Sequence, residues 1–302
     1  MDGSFAPAYL SPAKAAVNHK LQHTVAHAAS CLGVGVHSGA PARLTILPAP
    51  AGSGITFVRA DLAEHNRIPA LYNAVTDTRM CTVLANSAGT SIATVEHVMA
   101  ALHGCGVDNA EVHVDGPEIP IMDGSSAPFV ALIEQAGLLA QDATRRFIKV
   151  LRPVRVEENG KWSSLAPADV RTYEFEIDFA SKAIGRQTRS FALQDGSFGA
   201  ELSAARTFGF LHEVEAMRKM GLGRGGSLEN AVVIDGDAIM NEGGLRHEDE
   251  FVRHKLLDSV GDLALAGAPI IGAFHSAKGG HAMNNKLLHA LFADSGNWAW
   301  AD

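Results

Sequence analysis

The sequence is short of cysteine and of long apolar runs. Cys31, Cys81 and Cys105 are the only three cysteines among 302 residues, odd in number and widely spaced. None forms a Cys-x-x-Cys pair, which excludes a disulfide framework or a thiolate zinc knuckle and fits a reducing compartment. The N-terminal stretch carries Pro7, Pro12 and Lys14 but no continuous apolar segment, so no signal peptide is expected. The most apolar later run, residues 263–274, is interrupted by glycines and Pro269. It falls short of the about 20 predominantly apolar residues of a membrane-spanning helix. Positive charge is also scarce. A formal net charge of −8 argues against nucleic acid as the main partner, though a local basic patch could still take a phosphate. What is present, 47% hydrophobic and 19% charged residues, supplies a packed core for one large domain or two ordinary ones. The chain therefore reads as soluble and cytoplasmic, a monomer without stable membrane insertion. Residues 1–20 read as a mobile N-terminal extension.

Periodicity divides the rest into two halves with the same order of elements. In the first, strand patterns at 44–47 and 55–58 precede a hairpin, 81–85 and 90–93, around Asn86-Ser-Ala-Gly89. Val95, Val98, Met99 and Leu102 then mark a helical face, with Thr94 as the expected N-cap and Gly104 as the stop. A strand at 110–114 and a helix at 127–136, ended by Gly137, complete this half. In the second, strands at 147–151, 154–157, 162–165 and 173–179 lead to an insertion-like region, 203–230, and a strand at 231–234. A helix over 248–266, a strand at 270–274 and a helix over 281–293 follow. Two similar α+β modules joined near 141–146 are expected. The glycine-punctuated Gly33-Val-Gly-Val-His-Ser-Gly39 is no dinucleotide fingerprint, because no helical pattern follows it directly.

Candidate chemistry concentrates on the two long helices. His254, Asp258 and Asp262 recur at four-residue intervals and share one helical face. An imidazole and a carboxylate one turn apart can hold one metal ion, although the same spacing also describes an ordinary surface pair. His97 offers a third ligand. Its neighbour Glu96 points about 100° away around the helix, so the pair cannot both chelate easily. They can divide the work instead, one as ligand and one as base. On spacing alone, Glu96 serves equally as a complement to the helix dipole. His281, after Lys278-Gly-Gly, would become a cationic hydrogen-bond donor if it met Asp262, and is otherwise a surface histidine at a helix start. Thr207 can donate to an oxyanion. Phe208, Phe210, Leu211, Val214 and Leu222 either line an apolar channel or pack in a core. His19, His23, His65 and His103 show no partner pattern.

Several motifs coincide. Gly33-Val-Gly-Val-His-Ser-Gly39, Ser91-Ile-Ala-Thr-Val-Glu-His97, Pro117-Glu-Ile-Pro-Ile-Met-Asp-Gly-Ser125, Ala205-Arg-Thr-Phe-Gly-Phe210, Glu250-Phe-Val-Arg-His-Lys-Leu-Leu-Asp258 and Gly280-His-Ala-Met-Asn-Asn-Lys286 stand in this order. Together they resemble the UDP-3-O-acyl-N-acetylglucosamine deacetylases, bacterial zinc amidases of lipid A biosynthesis, over about residues 21–300. The resemblance implies one catalytic Zn²⁺, with Fe²⁺ as an alternative, on His97, His254 and Asp258. It implies Glu96 as base, His281 as second catalytic histidine with Asp262 as its partner, and Thr207 as oxyanion donor. Lys255 would lie near the nucleotide diphosphate and Phe208 against the sugar. The implied fold is α+β: two similar βααβ-type sandwich domains packed face to face, each with a small insert. They would span 21–142 and 147–302, the second insert, about 207–230, forming the acyl passage. The implied reaction removes the N-acetyl group from UDP-3-O-(3-hydroxyacyl)-N-acetylglucosamine. Two other readings stand beside it: a zinc amidase acting on another acetylated sugar, and a non-catalytic lipid- or nucleotide-binding protein on the same fold.

Overall fold

The computed structural model describes residues 20–302. The expected N-terminal extension, His19 included, lies outside the described residues apart from Lys20. The first half runs β1 (Leu21–Val25), β2 (Ala29–Val34), β3 (Pro41–Pro48), β4 (Ile55–Arg59), β5 (Arg67–Pro69), β6 (Val75–Asp77), β7 (Val83–Ala85), β8 (Ser91–Ile92), α1 (Glu96–Gly104), β9 (Ala110–Val114), α2 (Ala127–Ala136) and β10 (Leu138–Thr144). The second runs β11 (Phe147–Val150), β12 (Val154–Glu158), β13 (Lys161–Ala166), β14 (Arg171–Asp178), β15 (Arg186–Ala192), α3 (Ser197–Glu201), β16 (Phe208–Phe210), α4 (Leu211–Lys219), β17 (Val232–Asp235), β18 (Ala238–Ile239), α5 (Glu250–Ala264), β19 (Ile270–Ala277), α6 (His281–Phe292) and β20 (Trp298–Ala301). Sheets and helices are mixed as an α+β chain requires.

The halves share a strand order as well as an element order. In the first sheet the sequence of neighbours is β2-β3-β9-β4-β5, with β9 antiparallel to β3 and parallel to β4. In the second, β12-β13-β19-β14-β15 has the same pairings, β19 antiparallel to β13 and parallel to β14. The outlying strands match too. β1 pairs antiparallel with β10 and touches the start of β9 through a parallel Thr24–Asn109 bridge. β11 pairs antiparallel with β20 and parallel with the start of β19. Each half adds a three-stranded sheet outside this pattern, β6-β7-β8 and β16-β17-β18.

Several strands escape the periodic reading, among them β10, which occupies most of the stretch expected as a joint, and β15 and β20, which extend the second sheet. The N-cap expectation at Thr94 is also wrong. Thr94 has a left-handed φ of 62°, its hydroxyl turns to Glu118 at 3.4 Å, and Val95 holds the cap position. Gly104 belongs to the last turn of α1, pressed against the Phe198 ring, and the chain leaves the helix through Gly106 at φ 80°.

α1 and α5 pack directly on each other and are buried almost throughout. Their crossing is tight because residue 261 is glycine. A Cβ there would lie 2.0 Å from the Glu96 carbonyl oxygen, a backbone atom that cannot swing aside. This crossing brings Glu96 and His97, at the start of α1, against the polar stripe of α5.

Candidate metal centre and active site

A buried helix with several ionisable residues is expensive unless each has a partner. In α5 each does. His254 is 2% exposed, Asp258 3% and Asp262 3%, and all three face α1 or the β6–β7 connection. His254 Nδ1 lies 3.1 Å from the Ala205 carbonyl oxygen, which accepts only from a protonated nitrogen. That bond directs the lone pair to Nε2, 3.4 Å from Asp258 Oδ1. Burial pushes the His254 pKa down to about 3 against the opposing pull of Asp258, so the ring is a neutral ligand. His97 Nε2 approaches the same oxygen to 3.6 Å. Asp258 Oδ2 accepts from Lys255 Nζ at 2.9 Å. Burial alone would raise the Asp258 pKa, but the neighbouring Lys255 cation holds it well below the usual carboxylate range.

The three donor atoms lie within 4.8 Å of one another, the arrangement of a metal site. Tetrahedral coordination at bond lengths of about 2.0–2.1 Å separates ligand atoms by about 3.3 Å. The two measured separations to Asp258 Oδ1, 3.4 and 3.6 Å, meet that spacing. Two imidazole nitrogens and one carboxylate oxygen also suit a borderline divalent cation and leave a coordination position for solvent or substrate.

A second constellation sits beside the first. His281 Nδ1 hydrogen-bonds Asp262 Oδ2 at 2.9 Å, and its Nε2 lies 3.7 Å from Glu96 Oε1. Burial would lower the His281 pKa, but the charges of Asp262 and Glu96 outweigh it and raise the value to about 10. The ring is therefore an imidazolium, able to donate from both nitrogens. Asp262 also accepts from Asn284 Nδ2 at 2.9 Å and from Thr82 Oγ1 at 2.7 Å. Burial raises the pKa of Glu96, and a raised carboxyl pKa is what a base working near neutrality needs. In Lys278-Gly-Gly-His281 the glycines do different work. A Cβ at Gly279 would strike the Ser276 hydroxyl at 2.2 Å, whereas Gly280 has open space around it.

These residues wall one end of a cavity of about 360 Å³. Thr207, Phe208, Leu211 and Val214 line it together with Lys255 and all the cluster residues except Asp262, which backs His281. Phe210 and Leu222 lie outside the lining; Phe210 packs on Phe179 and His212 instead. Met217, Val233 and Met240 extend the apolar wall; they come from α4, β17 and the residue after β18, so no single periodicity joins them. The Arg206 guanidinium anchors this wall. It bonds both oxygens of the fully buried Glu250, at 2.9 and 3.1 Å, and so ties the segment carrying Thr207 to the start of α5. Burial opposes the Glu250 charge, but Arg206 and the Arg206 and Arg246 backbone N–H groups hold its pKa below the ordinary value. A depressed folded pKa gives stability that is present above the unfolded pKa and lost as pH falls through the folded one. Glu250→Gln is therefore expected to cost about 3–5 kcal/mol by leaving Arg206 buried and unpaired. It is also expected to flatten the acid limb of stability, as read by urea midpoints between about pH 6 and pH 3.

A cavity of similar size, about 350 Å³, lies by the C-terminal ends of α1 and α5 and lacks this cluster. Fold and cluster thus define a class: an α+β chain with the donor set of a mononuclear metallohydrolase and an apolar chamber beside it. The profile of the UDP-3-O-acyl N-acetylglycosamine deacetylase family matches residues 22–293, and the chain belongs to that family. It is 52% identical over 278 residues to the UDP-3-O-acyl-N-acetylglucosamine deacetylase of Phenylobacterium zucineum, covering 92% of this chain and 95% of the relative. It is 50% identical to the protein of that name from an Anaeromyxobacter, covering 91% and 90%, and 48% identical to that of a Shewanella, covering 92% and 91%.

Proposed function

We propose that this chain is a zinc-dependent deacetylase that removes the N-acetyl group from UDP-3-O-(3-hydroxyacyl)-N-acetylglucosamine, the committed step of lipid A biosynthesis. The observation that carries the reading is the convergence of His97, His254 and Asp258 beside the Glu96 and His281–Asp262 constellation. His97, His254 and Asp258 hold the ion, with Fe²⁺ as the alternative occupant. When bound, such an ion supplies Lewis acidity toward a carbonyl oxygen and lowers the pKa of coordinated water to about 7.

The protein's own groups do the rest. Glu96 takes a proton from the attacking water, its carboxylate oriented by the Thr82 N–H at 3.0 Å. The His281 imidazolium, fixed by Asp262, stabilises the negative charge that develops on the acetyl oxygen and then gives its proton to the departing amine. Thr207 adds a hydroxyl donor to the same oxygen. Lys255, held over the Phe208 ring at 5.5 Å, presents a cation toward the nucleotide diphosphate, and Phe208 packs on the sugar. Leu211, Val214 and Met217 give the acyl chain an apolar wall. A chain-binding chamber favours this substrate over an acetylated sugar without a fatty chain, and a poised base with an imidazolium opposite favours catalysis over binding alone.

We further place the two domains at 21–142 and 147–302, with the acyl-passage insert at 207–230. No helix among the described residues is long and apolar enough to cross a membrane. A cytoplasmic monomer acting on an amphiphilic, acylated nucleotide sugar, without nucleic acid, accords with the composition. The test is acetate release from the acylated nucleotide sugar. Activity is expected to vanish with a chelator and return with Zn²⁺. Release that persists after complete metal removal, or equal rates without the 3-O-acyl chain, contradicts the proposal.

A further inference from the structure

Thr82 lies in the connection between β6 and β7, 14 positions before Glu96 and 180 before Asp262, and it touches both carboxylates of the site. Its N–H donates to Glu96 Oε2 at 3.0 Å and its hydroxyl to Asp262 Oδ1 at 2.7 Å. Its carbonyl accepts from the Val95 N–H at 3.4 Å, and the residue is only 2% exposed. Glu96 opens α1 and Asp262 belongs to α5, so no single element holds the two acids in register. Each carboxylate gives one oxygen to Thr82 and turns the other toward His281: Asp262 Oδ2 to Nδ1 at 2.9 Å, Glu96 Oε1 to Nε2 at 3.7 Å.

We propose that Thr82 is a positioning residue for the reaction, a single residue in the β6–β7 connection that orients Glu96 through its backbone N–H and Asp262 through its hydroxyl, and thereby sets the distance between the base and His281. It touches neither substrate nor metal in this role and acts only through the two acids. The inference rests on the deacetylase reading above. Asn284 shares the task at Asp262 Oδ2 but has no contact with Glu96, so it cannot couple the two.

The decisive variants are Thr82→Val, which keeps the shape and the backbone N–H but deletes the hydroxyl, and Thr82→Ser, which restores it. Losses from removing groups that orient a site are typically about 10–100-fold. For Thr82→Val a fall of that size is expected in kcat, with KM and bound zinc nearly unchanged; Thr82→Ser is expected to recover most of it. A purely structural role would lower the folded fraction or the metal content in both variants and would leave kcat per folded, metal-loaded enzyme unchanged. If valine disturbs folding, shown by a lowered unfolding midpoint, Thr82→Ala takes its place.

A readout independent of turnover is the NMR resonance of the His281 Nδ1–H, which is deshielded by its bond to Asp262. Valine is expected to shift it upfield and speed its exchange, and serine to leave it in place. Wild-type kcat in Thr82→Val, a Thr82→Ser variant as slow as valine, or an unmoved resonance would each overturn the proposal. Failure of the wild type itself to release acetate with zinc would instead overturn the deacetylase reading, and the resonance would still decide the role of Thr82.

Discussion

His254→Ala is expected to leave the purified protein without tightly held metal and to abolish deacetylation. The expected loss is at least as large as the about 10²–10⁴ that a positioned base contributes. The reason is visible in the hydrogen bonds. The Ala205 carbonyl fixes one nitrogen of His254 as the donor and leaves the other facing Asp258 and His97. Removing that ring leaves one imidazole and a carboxylate already shared with Lys255, too few donors to replace an ion's hydration shell. Elemental analysis after dialysis checks the result. Full zinc occupancy in a folded His254→Ala protein would refute the ligand set, whatever its activity. The unfolding midpoint adds a second reading. A bound ion stabilises the native state by about 4 kcal/mol when free metal is 1,000 times its dissociation constant. Added zinc is therefore expected to raise the midpoint of the wild type and not that of the variant.

How much of this was legible beforehand depends on the distance over which each interaction acts. The pair His254 and Asp258 could be read because both lie on one helix, where a four-residue interval becomes a shared face. Membership of His97 in the same cluster is tertiary. It depends on Gly261 letting α5 approach the Glu96 backbone, and a lone glycine inside a helical pattern announces nothing about what it faces. Motif resemblance supplied that link where periodicity could not. Thr82 carried no signal, and Asn284 stood inside a motif with no role assigned to it. Thr82 meets Asp262 across 180 positions of sequence, from a connection between two three-residue strands. The missed strands have a local cause. β15 reads Arg-Gln-Thr-Arg-Ser-Phe-Ala and pairs only with β14 at the sheet edge, so most of its residues are not buried and its apolar alternation is faint. β10 pairs only with β1, and its Gln141-Asp-Ala-Thr144 end looks like a linker for the same reason. The Thr94 error was one of context. A threonine before a helical face usually caps it, but here a buried acid, Glu118, captures the hydroxyl.

Glu96→Gln is expected to keep metal and substrate binding and to lose about 10²–10⁴ in kcat, the range for a general base. The amide preserves the volume of a side chain that is 4% exposed and can still accept from the Thr82 N–H, so neither the α1–α5 crossing nor the position of His97 need change. What it cannot do is accept a proton. On the proposed mechanism the wild type needs the ionised carboxylate, so kcat/KM is expected to rise with pH through the Glu96 pKa, which burial lifts above its ordinary 4.5. In the glutamine variant that acid limb is expected to disappear along with most of the rate. The alkaline limb, where the His281 imidazolium deprotonates, is expected to remain in the residual activity. Its position will differ, because Glu96 is one of the charges that hold His281 protonated. Losing the negative neighbour lowers the His281 pKa, so the alkaline fall moves to lower pH. A variant that kept both the wild-type rate and the wild-type acid limb would place the base elsewhere in the cavity. Loss of rate with an unmoved alkaline limb would separate Glu96 from His281 and remove the electrostatic coupling on which their division of acid and base roles depends.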